Sequence, residues 1–305
     1  MIKSWTKKWF LILFLMASCS SYLAATTGET YFKMATQAFK RGNYHKAVAF
    51  YKRSCNLRVG VGCTSLGSMY EYGDGVQKDL PKAIYYYRRG CHLKDEVSCG
   101  SLGSMYEDGD GVQKDLPKAI YYYRRGCHLK GEVSCGSLGF MYFNGVGVKQ
   151  NYAKALSLSK YACSLNYGIS CNFAGYMYRN AKGVQKDLKK ALTHFKRGCH
   201  LKDGASCVSL GYMYEAGLYV RQNEEQALNL YKKGCSLEEW SGCHNVAVMY
   251  YTGKGAPKDL DKATSYYKKG CALGFSGSCK ILEVVGKNSD NLQDDAQNDT
   301  QDDTQ

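Results

Sequence analysis

The fourteen cysteines beyond residue 50 are the residues with the plainest chemistry in this chain. Cys55, Cys91, Cys127, Cys163, Cys199, Cys235 and Cys271 lie 36 residues apart. Each has a companion eight positions later: Cys63, Cys99, Cys135, Cys171, Cys207, Cys243 and Cys279. Thiols at fixed spacing either ligate a metal or oxidise to disulfides. Structural zinc wants clustered C-x-x-C pairs, and none occurs here. An even set at regular spacing reads instead as a disulfide framework made for an oxidising compartment. No metal and no cofactor is expected.

The other candidate ligands are sparse. Six histidines are scattered, and His92, His128 and His200 each follow a cysteine at equivalent places. They read as helix-end surface residues, with a titrating binding role as the sharper alternative. Asp108–Val112 (D-G-D-G-V) lacks the spaced ligands and terminal glutamate of a calcium loop. The Gly-x-Gly elements do not follow a strand, so a nucleotide fingerprint is excluded.

Charge narrows the partners. The chain carries a formal +14, with Lys3, Lys7 and Lys8 near its start and six aspartates but no base in residues 288–305. The basic surplus between them falls as K-R, R-R or K-K doublets at helix ends, which suits a solvated stripe facing the helix dipole better than a nucleic-acid surface. Residues 1–25 read as an export signal: lysines, an apolar run from Trp9 to Ala17, then small residues toward Ala25. Met16–Cys19 resembles a lipid-attachment site, so anchoring through Cys19 is the lesser alternative to a secreted or periplasmic chain. No later stretch is apolar and long enough to be a transmembrane segment.

The elements that must position these residues follow from the same ruler. A fixed period in this range marks a stack of repeated supersecondary units. In residues 99–111, Leu102, Gly103 and Tyr106 share one helical face, and Gly109 and Gly111 close a tight loop. Asp115 is placed to cap the next helix, Pro117 is tolerated in its first turn, and Ala119, Tyr122 and Tyr123 point inward. The helix ends at Arg124-Arg125-Gly126-Cys127, and a short turn leads to the next unit. Tyrosines equivalent to Tyr70 and Tyr87 recur and should pack between helices. Residues 26–286 therefore read as about seven αα-hairpins with a closing helix at 276–286, followed by a disordered acidic tail, 287–305. Residues 65–100 and 101–136 match at 34 of 36 positions, a copying that a repeat array tolerates. Each cysteine pair spans one turn, so local pairing is expected: 55–63, 91–99, 127–135, 163–171, 199–207, 235–243 and 271–279. Fourteen cysteines allow other connectivities on paper.

The string L-G-x-M-Y-x-x-G-x-G-V-x-K-D-x-x-K-A-x-x-Y-Y resembles the Sel-one-like repeat, a relative of the tetratricopeptide repeat. Paired cysteines replacing the alanines usual there make the chain similar to the Helicobacter cysteine-rich proteins, over about residues 28–286. The resemblance implies an all-α, right-handed αα-hairpin solenoid of 36-residue repeats. It also implies an exported protein that binds penicillin-type compounds and slowly hydrolyses β-lactams such as penicillin and cephalosporin derivatives. Ala181, Tyr219 and Ala256-Pro257 depart from the repeat and put the local loop shape there in doubt.

No catalytic constellation accompanies that implication. Ser157-Leu158-Ser159-Lys160 fits the S-x-x-K of serine β-lactamases and Ser289-Asp290-Asn291 fits their S-D-N, but K-T-G is absent. By analogy with tetratricopeptide geometry, four positions of each first helix face a concave groove. They are small in the early units: Val61, Thr64, Ser68 and Glu71, then Val97, Gly100, Ser104 and Glu107. Later units offer Phe140 and Phe143; Asn172, Tyr176 and Arg179; Tyr212 and Glu215; then His244 and Tyr251. Such residues are good anchors for a peptide, a cell-wall fragment or a carboxylate-bearing β-lactam. Another protein is a further partner class, and an unused surface is the plain alternative.

Overall fold

The computed structural model describes residues 27–284, and all regular structure among them is helical. The helices are α1 (27–40), α2 (Tyr44–Asn56), α3 (Gly60–Tyr72), α4 (Leu80–His92), α5 (Glu96–Asp108), α6 (Leu116–His128) and α7 (Glu132–Asn144). They continue as α8 (Tyr152–Ser164), α9 (Gly168–Arg179), α10 (Leu188–His200), α11 (Gly204–Glu215), α12 (Glu224–Ser236), α13 (Trp240–Thr252), α14 (Leu260–Ala272) and α15 (276–284). The chain divides into two compact units between Asn151 and Tyr152, with α1–α7 in the first and α8–α15 in the second. The export signal, Cys19, the Ser289-Asp290-Asn291 string and the acidic tail lie outside the described residues.

Helix starts and stops are written locally. Asn43, Asp79, Asp115, Asp187, Asn223 and Asp259 each accept a hydrogen bond from the backbone N–H three residues on, at 2.8–3.2 Å. Such caps satisfy donors that the first helical turn leaves open. First helices end on left-handed residues, Gly73, Gly109, Gly145 and Gly253. At two of the three departures in doubt, Ala181 (φ 53°) and Tyr219 (φ 60°) hold the same left-handed backbone as the glycines they replace. The loop shape survives there at some cost in strain.

The interior is as periodic as the cysteines. Met69, Met105, Met141, Met177, Met213 and Met249 are buried, as are Ala47, Ala83, Ala119, Ala155, Ala191, Ala227 and Ala263. Small alanines let paired helices approach closely, and unbranched methionines fill what remains. Tyr70 stacks on Tyr86 and Tyr106 on Tyr122, with ring centroids 5.5 and 5.6 Å apart.

All seven disulfides join the local pairs, with Cα–Cα distances of 4.5–4.8 Å. So close a crossing leaves no room beside the sulfurs. The residues just before each cysteine pair are therefore small: Gly90 with Ser98, Gly126 with Ser134, Gly198 with Ser206 and Gly270 with Ser278. A Cβ added to Gly126 would sit 2.3 Å from Ser134 Oγ. In the first staple the two are exchanged, Ser54 facing Gly62, and there too a Cβ on the glycine would meet the serine Oγ, at 2.4 Å. The intervening turn holds Lys94, Lys130 and Lys202 at φ 63–67°, a conformation unfavourable to side-chain-bearing residues. Arg89 Nη2 donates to Cys55 O (3.2 Å), Arg125 Nη2 to Cys91 O (3.1 Å) and Arg197 Nη2 to Ser164 O (3.1 Å). The basic doublets thus cap carbonyls of the preceding second helix as well as facing their own dipole.

A second lock joins the two helices of a hairpin. Tyr87 Oη donates to Glu71 (2.5 Å), Tyr123 to Glu107 (2.7 Å) and Tyr231 to Glu215 (2.6 Å). Burial, then the bond to a carboxylate, pushes all three phenols well above the ordinary value near 10.

Two predictions follow from these contacts. Gly126→Ser should lower stability by about 1–3 kcal/mol through overpacking, and adding Ser134→Gly should restore most of it; denaturant midpoints of the single and double variants decide this. For the tyrosines, the folded phenols keep protons that the unfolded chain releases near pH 10, so their stabilisation is intact below pH 10 and declines above it. Replacing Tyr87, Tyr123 and Tyr231 together with Phe should cost about 1 kcal/mol per site at neutral pH. The same variant should flatten the fall in stability above pH 10 relative to wild type, measured by chemical unfolding across the alkaline range.

Candidate functional site

In the second unit, α9 and α11 pack side by side and bring together five of the residues that the repeat pattern singles out. Asn172, Tyr176 and Arg179 lie on one face of α9 at helical spacing, and Tyr212 and Glu215 lie on α11. Ser209 donates to Asn172 Oδ1 at 3.0 Å, tying the helices together. The Arg179 guanidinium carbon sits 5.5 Å from the Tyr212 ring centroid and 5.6 Å from that of Phe195. Rings on two sides hold it in place, since a guanidinium is attracted to aromatic faces.

The chemistry of this arginine follows from one exchanged pair. Arg179 stands where other repeats have Glu71, Glu107 and Glu215, and Phe195 stands where they have Tyr87, Tyr123 and Tyr231. A tyrosine hydroxyl needs an acceptor, which arginine cannot be; phenylalanine removes that need and offers a ring. The ion pairs described, all Lys–Asp pairs at helix starts, do not include Arg179. Arg179 is therefore a half-buried cation without a carboxylate partner among the described residues. Tyr176 and Tyr212 flank it, 36% and 46% exposed.

The remaining predicted residues are used differently. Phe140 and Phe143 belong to α7 of the first unit, where Phe140 is exposed and Phe143 half-buried. Glu215 is engaged by Tyr231. His244 is 3.1 Å from Ser278 Oγ and packs edge-on against Phe275, and burial lowers its pKa. Tyr251 is exposed, with Lys258 Nζ 5.6 Å from its ring centre. His92, His128 and His200 are exposed at helix ends. Ser157 and Lys160 are exposed on α8, while Ser159 is buried and donates to Ala155 O at 2.8 Å. That hydroxyl is spent on its own helix, donating to a backbone carbonyl where a serine nucleophile would donate to a general base.

A groove of about 510 Å³ in the first unit lies on residues that sequence reasoning placed on the concave face and passed over as small. Ser68 and Ser104 line it together with Thr64, Glu71 and Val97. Smallness was itself the signal: a serine leaves open the space that Phe140 occupies at the equivalent place. A neighbouring groove of about 270 Å³ is lined by Ser104, Tyr123 and Ser137.

Comparison with known proteins accords with this architecture. The Sel1 repeat matches residues 31–58, 61–95, 98–130, 134–167, 168–203, 204–238 and 240–275. HcpD of Helicobacter pylori is 89% identical over 82 residues, which make up 27% of this chain and 27% of HcpD. Beta-lactamase HcpA of Helicobacter pylori is 37% identical over 83 residues, 27% of this chain and 33% of that protein. These alignments thus span a third or less of the curated relatives. Among solved structures, a Sel1 repeat protein from Oxalobacter formigenes superposes with a TM-score of 0.75 at 23% identity, covering 79% of this chain and 99% of that one. A protective antigen of uropathogenic Escherichia coli gives 0.68 at 24% identity, covering 85% of this chain and 56% of the other. With seven matched repeats spread over most of its length, the chain belongs to the Sel1 repeat family.

Proposed function

We propose that this protein is a binding scaffold whose α9–α11 face takes the carboxylate of a peptide or cell-wall fragment. The observation that carries the reading is Arg179, a cation held against Phe195 and Tyr212 with no carboxylate partner among the described residues. A guanidinium so held offers paired N–H donors to a carboxylate. Asn172, about two turns earlier on the same face of α9, supplies a side-chain amide, and Tyr176 and Tyr212 supply apolar contact surface. β-Lactams carry a carboxylate and mimic a D-Ala-D-Ala end, so the same face accommodates them. The seven disulfides and the leader-like residues 1–25 support a secreted or periplasmic site of action. No described helix is long and apolar enough to cross a membrane.

The likeness to Beta-lactamase HcpA supports a second reading, slow hydrolysis of penicillin and cephalosporin derivatives. In it, the α9–α11 face holds a β-lactam with water beside the strained ring, without a covalent serine. Binding and turnover separate experimentally. Titration of an N-acylated D-Ala-D-Ala, its C-terminal amide and a penicillin against the intact chain should favour the acid over the amide by about tenfold or more, the worth of a charge-assisted hydrogen bond. Arg179→Ala should abolish that preference, and an unchanged preference would overturn the placement. Steady-state penicillin hydrolysis is compared with the reduced and alkylated protein. A rate lost on reduction supports the enzyme, and a rate equal to the control leaves binding alone.

A further inference from the structure

The groove of about 510 Å³ in the first unit has a wall that is both aromatic and acidic. Phe39 and Tyr72 form its exposed aromatic side, 37% and 68% accessible. Among the described residues, Glu71 and Asp110 are the charged groups of its lining, with no lysine or arginine beside them, in a chain with a net charge of +14. Glu71 is held by the Tyr87 hydroxyl at 2.5 Å, and neither carboxylate has a cationic partner among the described residues. Aromatic faces carry negative potential at their centres and attract ammonium and guanidinium groups, more strongly where water is partly excluded. A carboxylate fixed beside them adds Coulomb attraction. Hydroxyls of Thr64, Ser68 and Ser104 along the same wall match backbone N–H and C=O groups.

The duplicated repeat supplies an internal comparison. One repeat further on, Asp108 replaces Tyr72, Phe140 replaces Ser104 and Val146 replaces Asp110. The groove of about 270 Å³ there has Tyr123 as its single aromatic residue and does not include Glu107 in its wall. That second groove carries Glu96 and Glu132, but it sets them beside a single ring and in about half the volume of the first.

We propose that this groove is a second binding site, specific for a lysine or arginine side chain presented by an extended peptide. Charge complementarity selects the occupant: Glu71 and Asp110 take the cationic head, while Phe39, Tyr72 and Val97 cover its methylene stem. The volume lies within the roughly 300–1,000 Å³ of small-ligand pockets, room for a side chain with its flanking backbone. The site is independent of Arg179, whose chemistry is opposite.

The test uses the intact, oxidised chain and blocked tripeptides, acetyl-Gly-X-Gly-amide with X as lysine, arginine or norleucine, titrated calorimetrically. The basic peptides should bind about tenfold or more tightly than the norleucine peptide, which keeps the stem and lacks the charge, and should weaken as salt rises. Glu71→Gln, which still accepts from Tyr87, should lose about tenfold in affinity for the basic peptides at an unchanged unfolding midpoint. Asp110→Asn, at an exposed position, should weaken binding by a smaller factor, and Arg179→Ala should have no effect. Equal binding of lysine and norleucine peptides would overturn the proposal. So would an absence of binding, or full affinity retained by the Glu71→Gln, Asp110→Asn double variant.

Discussion

The crossing of one helix end over the next helix start, with cysteine Cα atoms 4.5–4.8 Å apart, is the constraint on which the rest of the structure depends. Helices that close have room only for small residues at the crossing, so the neighbouring position is a glycine–serine pair in most repeats. The connecting turn must be short, so residues such as Lys94 are driven into a left-handed backbone that costs about 1–2 kcal/mol each. A bond closing a loop of this size stabilises by about 2–3 kcal/mol in the chain-entropy account, enough to sustain that strain. Ser54 facing Gly62 shows that the requirement is for combined volume, since either side may carry the hydroxymethyl group.

A frame fixed this firmly frees the exposed face of the first helices to vary. Their chemistry diverges while Met, Ala and Cys rows repeat unchanged. In the first unit the face is small, hydroxylated and acidic. In the second it carries Arg179 between two rings. The divergence is not free of the frame, however. Each charged residue at the end of a first helix must suit the aromatic residue sixteen positions later, so Glu goes with Tyr and Arg goes with Phe. A glutamate accepts from the phenol, which arginine cannot do, and phenylalanine removes that donor while offering arginine a ring face.

The period of the cysteines, the aspartate caps and the glycine loops were legible in the sequence because each is a local rule with one residue type behind it. The Asp115 cap and the buried Tyr123 are where periodicity puts them. The Glu–Tyr and Arg–Phe exchange was also written there, as paired changes at a separation of sixteen, and becomes readable once the hairpin register is known. Other features were not local. The bond from Arg125 to Cys91 O crosses a whole repeat, and a run of basic residues alone points only to the nearest helix dipole. The groove escaped notice because reading for anchors favours large residues, whereas concavity comes from small ones such as Ser68 and Ser104. Ala181 and Tyr219 suggested altered loops, yet both keep the glycine-like left-handed backbone.

Non-reducing peptide mapping of the purified, oxidised protein tests the central claim most directly. Proteolysis between the staples should release seven peptides, each joining cysteines eight residues apart in the pairs from Cys55–Cys63 to Cys271–Cys279. A dominant peptide linking cysteines of different repeats, such as Cys91 with Cys127, would contradict both the pairing and the helix crossing that produces it.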